Sequence, residues 1–293
     1  MIPFVRDMDF EYGRADRVSP LIRRVVARNP GPFTYLGTGT YIVGRAEVAV
    51  IDPGPDLPEH LDALLAALAG ERVTAILTTH THADHSPLAR PLQAAVGGVV
   101  YGRAEPGRGS GFEEAAEADF RPDVEIADGA QVSGPGWTLE AIATPGHASN
   151  HVCYALLEEN ALFSGDHVMG WSTTVVSPPD GDMGDYYASL ERVRARGFET
   201  LWPTHGPPIT EPAPFLDAYR EHRLAREGQI RAQLAAGRGR IAEMVPVLYA
   251  SVDSRLHPAA AHSVLAHLIH LTRTGEVEND GEPGLESAYR LVA

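Results

Sequence analysis

The chain of 293 residues is 44% hydrophobic and 22% charged, an ordinary globular composition with material for one large domain and a small one. No apolar run approaches the roughly 20 residues of a bilayer span, no basic-then-apolar leader opens the chain, and a single cysteine, Cys153, excludes an intrachain disulfide, so a cytoplasmic protein with no membrane partner is expected. The formal charge of −15 works against a long nucleic-acid partner, and all 24 basic residues are Arg, so no Lys can serve as nucleophile, Schiff base or anion clamp.

Residues 1–32 are mixed in character, with the basic apolar stretch Leu21-Ile22-Arg23-Arg24-Val25-Val26. Two strands are expected at 41–43 and 48–51, ended by the turn residues Asp52-Pro53-Gly54-Pro55. An amphipathic helix over 57–68 stops at Gly70, and 73–79 reads as a buried strand from its length and β-branching. A helix over 87–95 and a strand at 99–101 follow, then a Gly-rich, charged loop over 102–122. Short strands are expected at 124–126, 137–143, 153–157, 161–163 and 200–202, with a helix at 186–196. Strands alternating with single helices in two runs imply layered sheets with helices outside. The character changes near Pro214: helices over 215–236, 241–249 and 259–273, then a possible strand at 274–278, suggest a small helical, winged-helix-like module. The division expected is 1–213 and 214–293.

The run His80-Thr81-His82-Ala83-Asp84-His85 places four metal-compatible side chains within six residues, just past a buried strand. Imidazole with carboxylate suits borderline divalent ions such as zinc. The i, i+2 spacing of His80 and His82 lets both aim at one centre, while Asp84 and His85, past a bend, can face a second. Three later segments repeat the layout at strand ends: Thr144-Pro145-Gly146-His147, Ser164-Gly165-Asp166 and Pro203-Thr204-His205-Gly206. A lone His or Asp in such a loop is usually a capping or turn residue. Five His and two Asp in this arrangement are enough for two metal ions. Two cations could share a hydroxide, whose parent water loses a proton at a pKa lowered to roughly 7, and clamp the attacking and leaving oxygens.

These motifs resemble the metallo-β-lactamase superfamily. The run from His80 to His85 matches its HxHxDH signature, and Asp52, His147, Asp166 and His205 match the remaining motifs in order over about residues 35–210. The resemblance implies an αββα sandwich with metals at one edge. It implies His80, His82 and His147 on one metal, Asp84, His85 and His205 on the other, Asp166 as bridge, and Asp52 orienting the His loop. Asp84 and Asp166 are then the catalytic carboxylates, with two Zn²⁺ as cofactor and iron or manganese as variants. Within the superfamily the chain is similar to the beta-lactamase-like protein 2 group through the segments at 163–170, 172–175, 185–190 and 203–208 and the winged-helix-like end. Animal members of that group imply a single-strand endoribonuclease.

The expected function is therefore a dinuclear zinc hydrolase of a phosphodiester or ester-type substrate, with a small molecule or single-stranded RNA as partner and a homodimer as one arrangement. A thioesterase or lactonase of the glyoxalase II type is the alternative, although its basic C-terminal glutathione segment is not evident beyond Arg220, Arg223 and Arg226. Efficient β-lactam hydrolysis is disfavoured by the absent Lys, by Cys153 in an expected strand and by the extra Asp166. A diiron redox protein is a non-hydrolytic alternative, but those relatives exchange some His for acidic residues. Among weaker features, His151 could support the site, His167 is expected to point away, and Trp171-Ser172-Thr173-Thr174 could line the pocket. Gly37-Thr38-Gly39-Thr40 reads as a turn rather than a phosphate loop. His257, His262, His267 and His270 read as structural or surface residues, and Arg255 and Arg273 are too sparse for a basic face.

Overall fold

A computed structural model describes residues 1–104 and 120–292. One sheet runs β1 (Ala15–Arg17), β2 (Ile22–Val26), β3 (Gly39–Arg45), β4 (Glu47–Ile51), β5 (Arg72–Leu77), β6 (Val99–Gly102) and β7 (Val124–Glu125) in spatial as in chain order. Its first four strands are an antiparallel meander; β4 to β7 are parallel, linked by α1 (Pro58–Ala67) and α2 (Ala89–Val96). The second sheet is ordered β12 (Thr200–Pro203), β11 (Ala161–Gly165), β10 (Val152–Leu156), β9 (Trp137–Ala143) and β8 (Gln131–Gly134), antiparallel except for β11 and β12.

Alternation along the strands builds the layers. Tyr41, Val43, Ile51 and Leu77 face Trp137, Tyr154 and Phe163 of the other sheet. Their neighbours Ile42, Val50 and Ile76 turn outward onto Leu64 and Leu92 of the α1–α2 layer. On the far side, Ile142, Leu162 and Leu201 meet α3 (Met183–Arg196) and α4 (Pro212–Ala235) through Tyr186, Leu190, Phe215 and Tyr219. The period-2 pattern thus gives each strand two buried faces, the expected αββα sandwich. Each fully buried Leu, Ile or Val contributes about 1.5–3 kcal/mol of apolar burial.

The C-terminal part adds α5 (Ile241–Leu248), α6 (His257–Arg273) and the hairpin of β13 (Val277–Asn279) and β14 (Tyr289–Leu291). The 24-residue α4 serves both parts: Phe215 and Tyr219 pack in the sandwich core, Ile230 and Leu234 in the C-terminal core.

Four strands escape the sequence reading. β1, β2, β8 and β14 are short or broken by charge. In β2, Arg23 pairs with Glu71, and Arg24 is buried with Nη1 donating to the Gly206 carbonyl at 3.4 Å. The expected strand at 73–79 ends earlier, at Leu77, leaving Thr78 and Thr79 in the loop that carries the His run. Most of the loop expected over 102–122 lies outside the described residues.

Candidate metal centre

The strand ends of both sheets meet at one edge, and the candidate residues converge there. His80, His82, Asp84, His85, His147, Asp166 and His205 are all buried. Ligand atoms of His80, His82 and His147 lie within 4.8 Å of one another, as do those of His80, His85 and Asp166, and those of Asp84, His85 and His205. The ring nitrogens of His80 and His82 are 2.8 Å apart, and His147 Nε2 is 3.2 Å from His82 Nδ1. Asp84 Oδ2 sits 2.9 Å from His205 Nε2 and 3.4 Å from His85 Nε2. Asp166 lies between the two halves: Oδ1 is 3.5 Å from His205 and 3.7 Å from His85, and Oδ2 is 3.8 Å from His147.

The opposite edges of the rings are occupied. His147 Nδ1 faces the Val175 carbonyl at 2.7 Å, and His205 Nδ1 faces the Gly37 carbonyl at 3.2 Å. His80 Nδ1 is 3.0 Å from Thr79 Oγ1. The stretch expected as a turn is one only in part: Gly37, at φ 128°, offers the carbonyl that fixes His205, while Gly39 and Thr40 already open β3. His85 Nδ1 meets Asp52 Oδ2 at 2.9 Å, and that carboxylate further accepts from Thr79 N, Thr79 Oγ1 and Thr204 Oγ1 at 2.7–2.9 Å. Asp52 holds these contacts with a left-handed backbone, φ 48°. Nδ1 donors held from outside leave Nε2 lone pairs aimed inward, the arrangement that orients imidazole ligands.

Local backbone explains the placement of two of the candidate ligands. Gly146 before His147 has φ 136°, and a Cβ there would stand 2.5 Å from the Tyr186 backbone. Gly165 before Asp166 has φ 52°, and its Cβ would fall 2.6 Å from His151 Nε2. His151 is buried just before β10; its Nδ1 is 2.8 Å from Thr144 Oγ1, and its Nε2 accepts the Asp166 amide at 3.2 Å. His151 thus supports the loop bearing Asp166. His167 is buried against the Tyr186 ring, 5.2 Å between centroids, outside the three ligand groups. The chain there is a turn, so turn geometry rather than strand alternation directs it.

Charges in the cluster are sharply divided. Burial, then the neighbouring imidazoles, pushes His80 well below its ordinary value and His82 down to about 3. Burial acts the same way on His85, but Asp84, Asp52 and Asp166 outweigh it and hold it well above. His205 is also raised, by Asp166 and Asp84 against burial. Burial would raise Asp84 and Asp166, yet the facing imidazoliums hold both well below the carboxylate range. Cys153, in β10, is inert: burial pushes its thiol up to about 12.

Buried His85 Nε2, His205 Nε2 and Asp166 Oδ1 lack a well-directed hydrogen bond. Orphaned ligand atoms in a convergent His/Asp set fit divalent cations, which would take the place of the shared protons. Above the cluster is a cavity of about 40 Å³, rimmed by Phe33, Met169, Trp171 and Val175. Of the stretch expected at the pocket, Trp171, Ser172 and Thr173 line it; Phe33 and Met169 carry no sequence signature that would have marked them.

Residues 35–205 match the Metallo-beta-lactamase superfamily, more than half of the chain. The chain belongs to the metallo-β-lactamase superfamily. Residues 241–285 match the Beta-lactamase associated winged helix domain, so the chain carries the winged helix that three helices and a possible strand suggested. The chain is 32% identical to the "Beta-lactamase-like protein 2 homolog" of Caenorhabditis elegans, covering 90% of this chain and 88% of that protein. It is 35% identical to the "Atrochrysone carboxyl ACP thioesterase" of Aspergillus chevalieri, covering 86% and 81%. A beta-lactamase domain protein from Burkholderia ambifaria shares the fold at a TM-score of 0.79 and 20% identity, covering 99% of this chain and 97% of that one. A metallo-beta-lactamase family protein from Thermus thermophilus does so at 0.75 and 22%, covering 94% and 100%. The chain is a hydrolase of this superfamily, whose members bind divalent metals through such His/Asp clusters.

Proposed function

We propose that the chain uses two divalent cations, zinc in the first instance, to hydrolyse an ester or thioester of a small substrate. His80, His82 and His147 would hold one cation and Asp84, His85 and His205 the other, with Asp166 shared. Bound there, the pair would supply Lewis-acid polarisation of a carbonyl oxygen and a water acidic enough to attack at neutral pH. Asp52 keeps His85 turned to the centre, and the Gly37 and Val175 carbonyls do the same for His205 and His147. Asp84 and Asp166 are the carboxylates of the cavity wall, and both stay ionised, so their catalytic part is to fix charge rather than to store a proton. Phe33, Met169, Trp171 and Val175 exclude bulk water from the reacting group and strengthen the electrostatics inside.

That apolar rim carries the choice of substrate class. At the reacting group itself Phe33, Met169 and Val175 present no charge to a phosphodiester, and they suit an uncharged carbonyl instead. The relative named as an acyl-carrier-protein thioesterase supports the same reading. Single-stranded RNA is the second reading, favoured by whole-length likeness to the beta-lactamase-like protein 2 group. A parallel assay of acyl-pantetheine thioesters, a lactone and a single-stranded RNA oligonucleotide decides between them. Thioester or lactone cleavage that disappears in Asp166→Ala is expected; RNA cleavage alone, lost in the same variant, would contradict the assignment.

A further inference from the structure

The cavity above the cluster has room for a reacting group or a water, so the body of a substrate must lie beyond it. A groove of about 420 Å³ continues from it, sharing Pro32, Phe33, Trp171, Ser172, Thr173 and Val175. The far wall belongs to the C-terminal module and is apolar: Leu248, Val252, Leu256 and Ala260. Phe4 of the N-terminal arm and Leu256 remain 37% and 43% exposed, apolar surface open to solvent.

The groove's charge is one-sided. Arg6, Arg223 and Arg226 line it, and no carboxylate does. None of the three is paired with a carboxylate among the described residues. Each is carried on the wall by other means. The Arg226 guanidinium lies 4.2 Å from the Tyr249 ring centroid, with Nη1 donating to the Leu248 carbonyl at 3.0 Å. Buried Arg223 donates to the Thr174 carbonyl and stacks 5.2 Å from the Tyr186 ring, and its Nε has no partner. Arg6 lies over the Phe4 ring at 5.7 Å. His222, also on the wall, is pushed down to about 4, by burial first and then by Arg223 and Arg226. In a molecule of net charge −15, three cations in a groove without an anion leave a charge that a ligand can complement.

We infer that this groove binds the remainder of the substrate, an apolar segment linking the scissile carbonyl to an anionic group, phosphate or carboxylate, which Arg226 and Arg6 recognise. The inference rests on the ester or thioester reading above. It gives the winged helix a part in the site, as the wall that selects an amphiphilic anion over a neutral ester.

Three probes test it on the full, metal-loaded chain: octanoyl-pantetheine, octanoyl-4′-phosphopantetheine, and the pantetheine thioester of suberic acid. The second carries its anion on the thiol side and the third on the acyl side, so the two sources are told apart. One anionic probe is expected to show a KM about tenfold below the neutral one, the size of one charge-assisted hydrogen bond. In Arg226→Ala that ratio collapses toward one, and Arg6→Ala, on an exposed arm, reads the same effect without a buried contact to lose. Equal KM for all three probes, or a ratio that survives both substitutions, overturns the inference. Calorimetry with the amide analogues of the same probes needs no turnover. A binding preference lost in Arg226→Ala with no thioester cleaved would uphold the groove and sink only the hydrolytic reading; no preference in either measurement sinks the groove.

Discussion

At the level of single residues, the seven candidate ligands were legible because metal chemistry restricts the side chains that can serve and strand ends restrict where they sit. Asp52 was legible only through the resemblance, since an Asp before Pro-Gly also reads as a turn. Its partners Thr79 and Thr204 were not, because a threonine hydroxyl gains meaning only from what faces it. Replacing Asp52 with Asn would turn an amide toward the four groups that donate to it. Affinity for zinc, measured by chelator competition, should fall about 10–100-fold with the fold retained; an unchanged affinity would remove Asp52 from the site. His60 makes a prediction away from the metals. Its Nε2 is 2.8 Å from Thr40 Oγ1, whose proton goes to the Asp52 carbonyl, and its Nδ1 is buried without a partner. Burial pushes it down to about 4, below the 6.5 of an unfolded histidine. The folded state then binds fewer protons than the unfolded one across that window. Stability from this residue is full above pH 6.5 and is lost as pH falls toward 4. In His60→Gln the slope of unfolding free energy against pH over that window should shrink by about one proton, read from urea titrations of the metal-free protein.

At the level of elements, the periodic strands and longer helices were readable because burial on two faces demands continuous apolar runs. β2 was not, because Arg23 and Arg24 interrupt the run, and their partners Glu71 and the Gly206 carbonyl are remote in sequence. β11 separates packing from site geometry. Leu162 faces the helices, and Leu162→Ala should cost about 2–5 kcal/mol of stability while metal content holds. Gly165, three residues on, has a left-handed backbone with His151 and Thr79 against it. Gly165→Ala should cost about 1–3 kcal/mol and also lower metal content, because the turn carrying Asp166 is displaced. Thermal unfolding with metal analysis on both variants checks the contrast; equal metal loss would mean that general loosening, not the Gly165 turn, governs the site.

At the level of the whole molecule, the sequence shows a sandwich and a helical appendage but not that they share a helix and a groove. α4 enters both hydrophobic cores, and the apolar and cationic wall it helps form faces a loop some fifty residues earlier in the chain. Such a surface has no motif, since its residues come from the N-terminal arm, the turn at 32–33, the loop at 171–175 and the C-terminal part from α4 to α6. Among the described residues no helix is long and apolar enough to cross a membrane. The proposed centre draws seven side chains from four strand-end loops around two cations. Metal analysis of the zinc-loaded, desalted chain tests it most directly, with Asp166→Ala beside it. About two zinc ions per wild-type chain and fewer in the variant are expected; one ion or none in the wild type, or an unchanged content in Asp166→Ala, would rule out a shared two-cation centre.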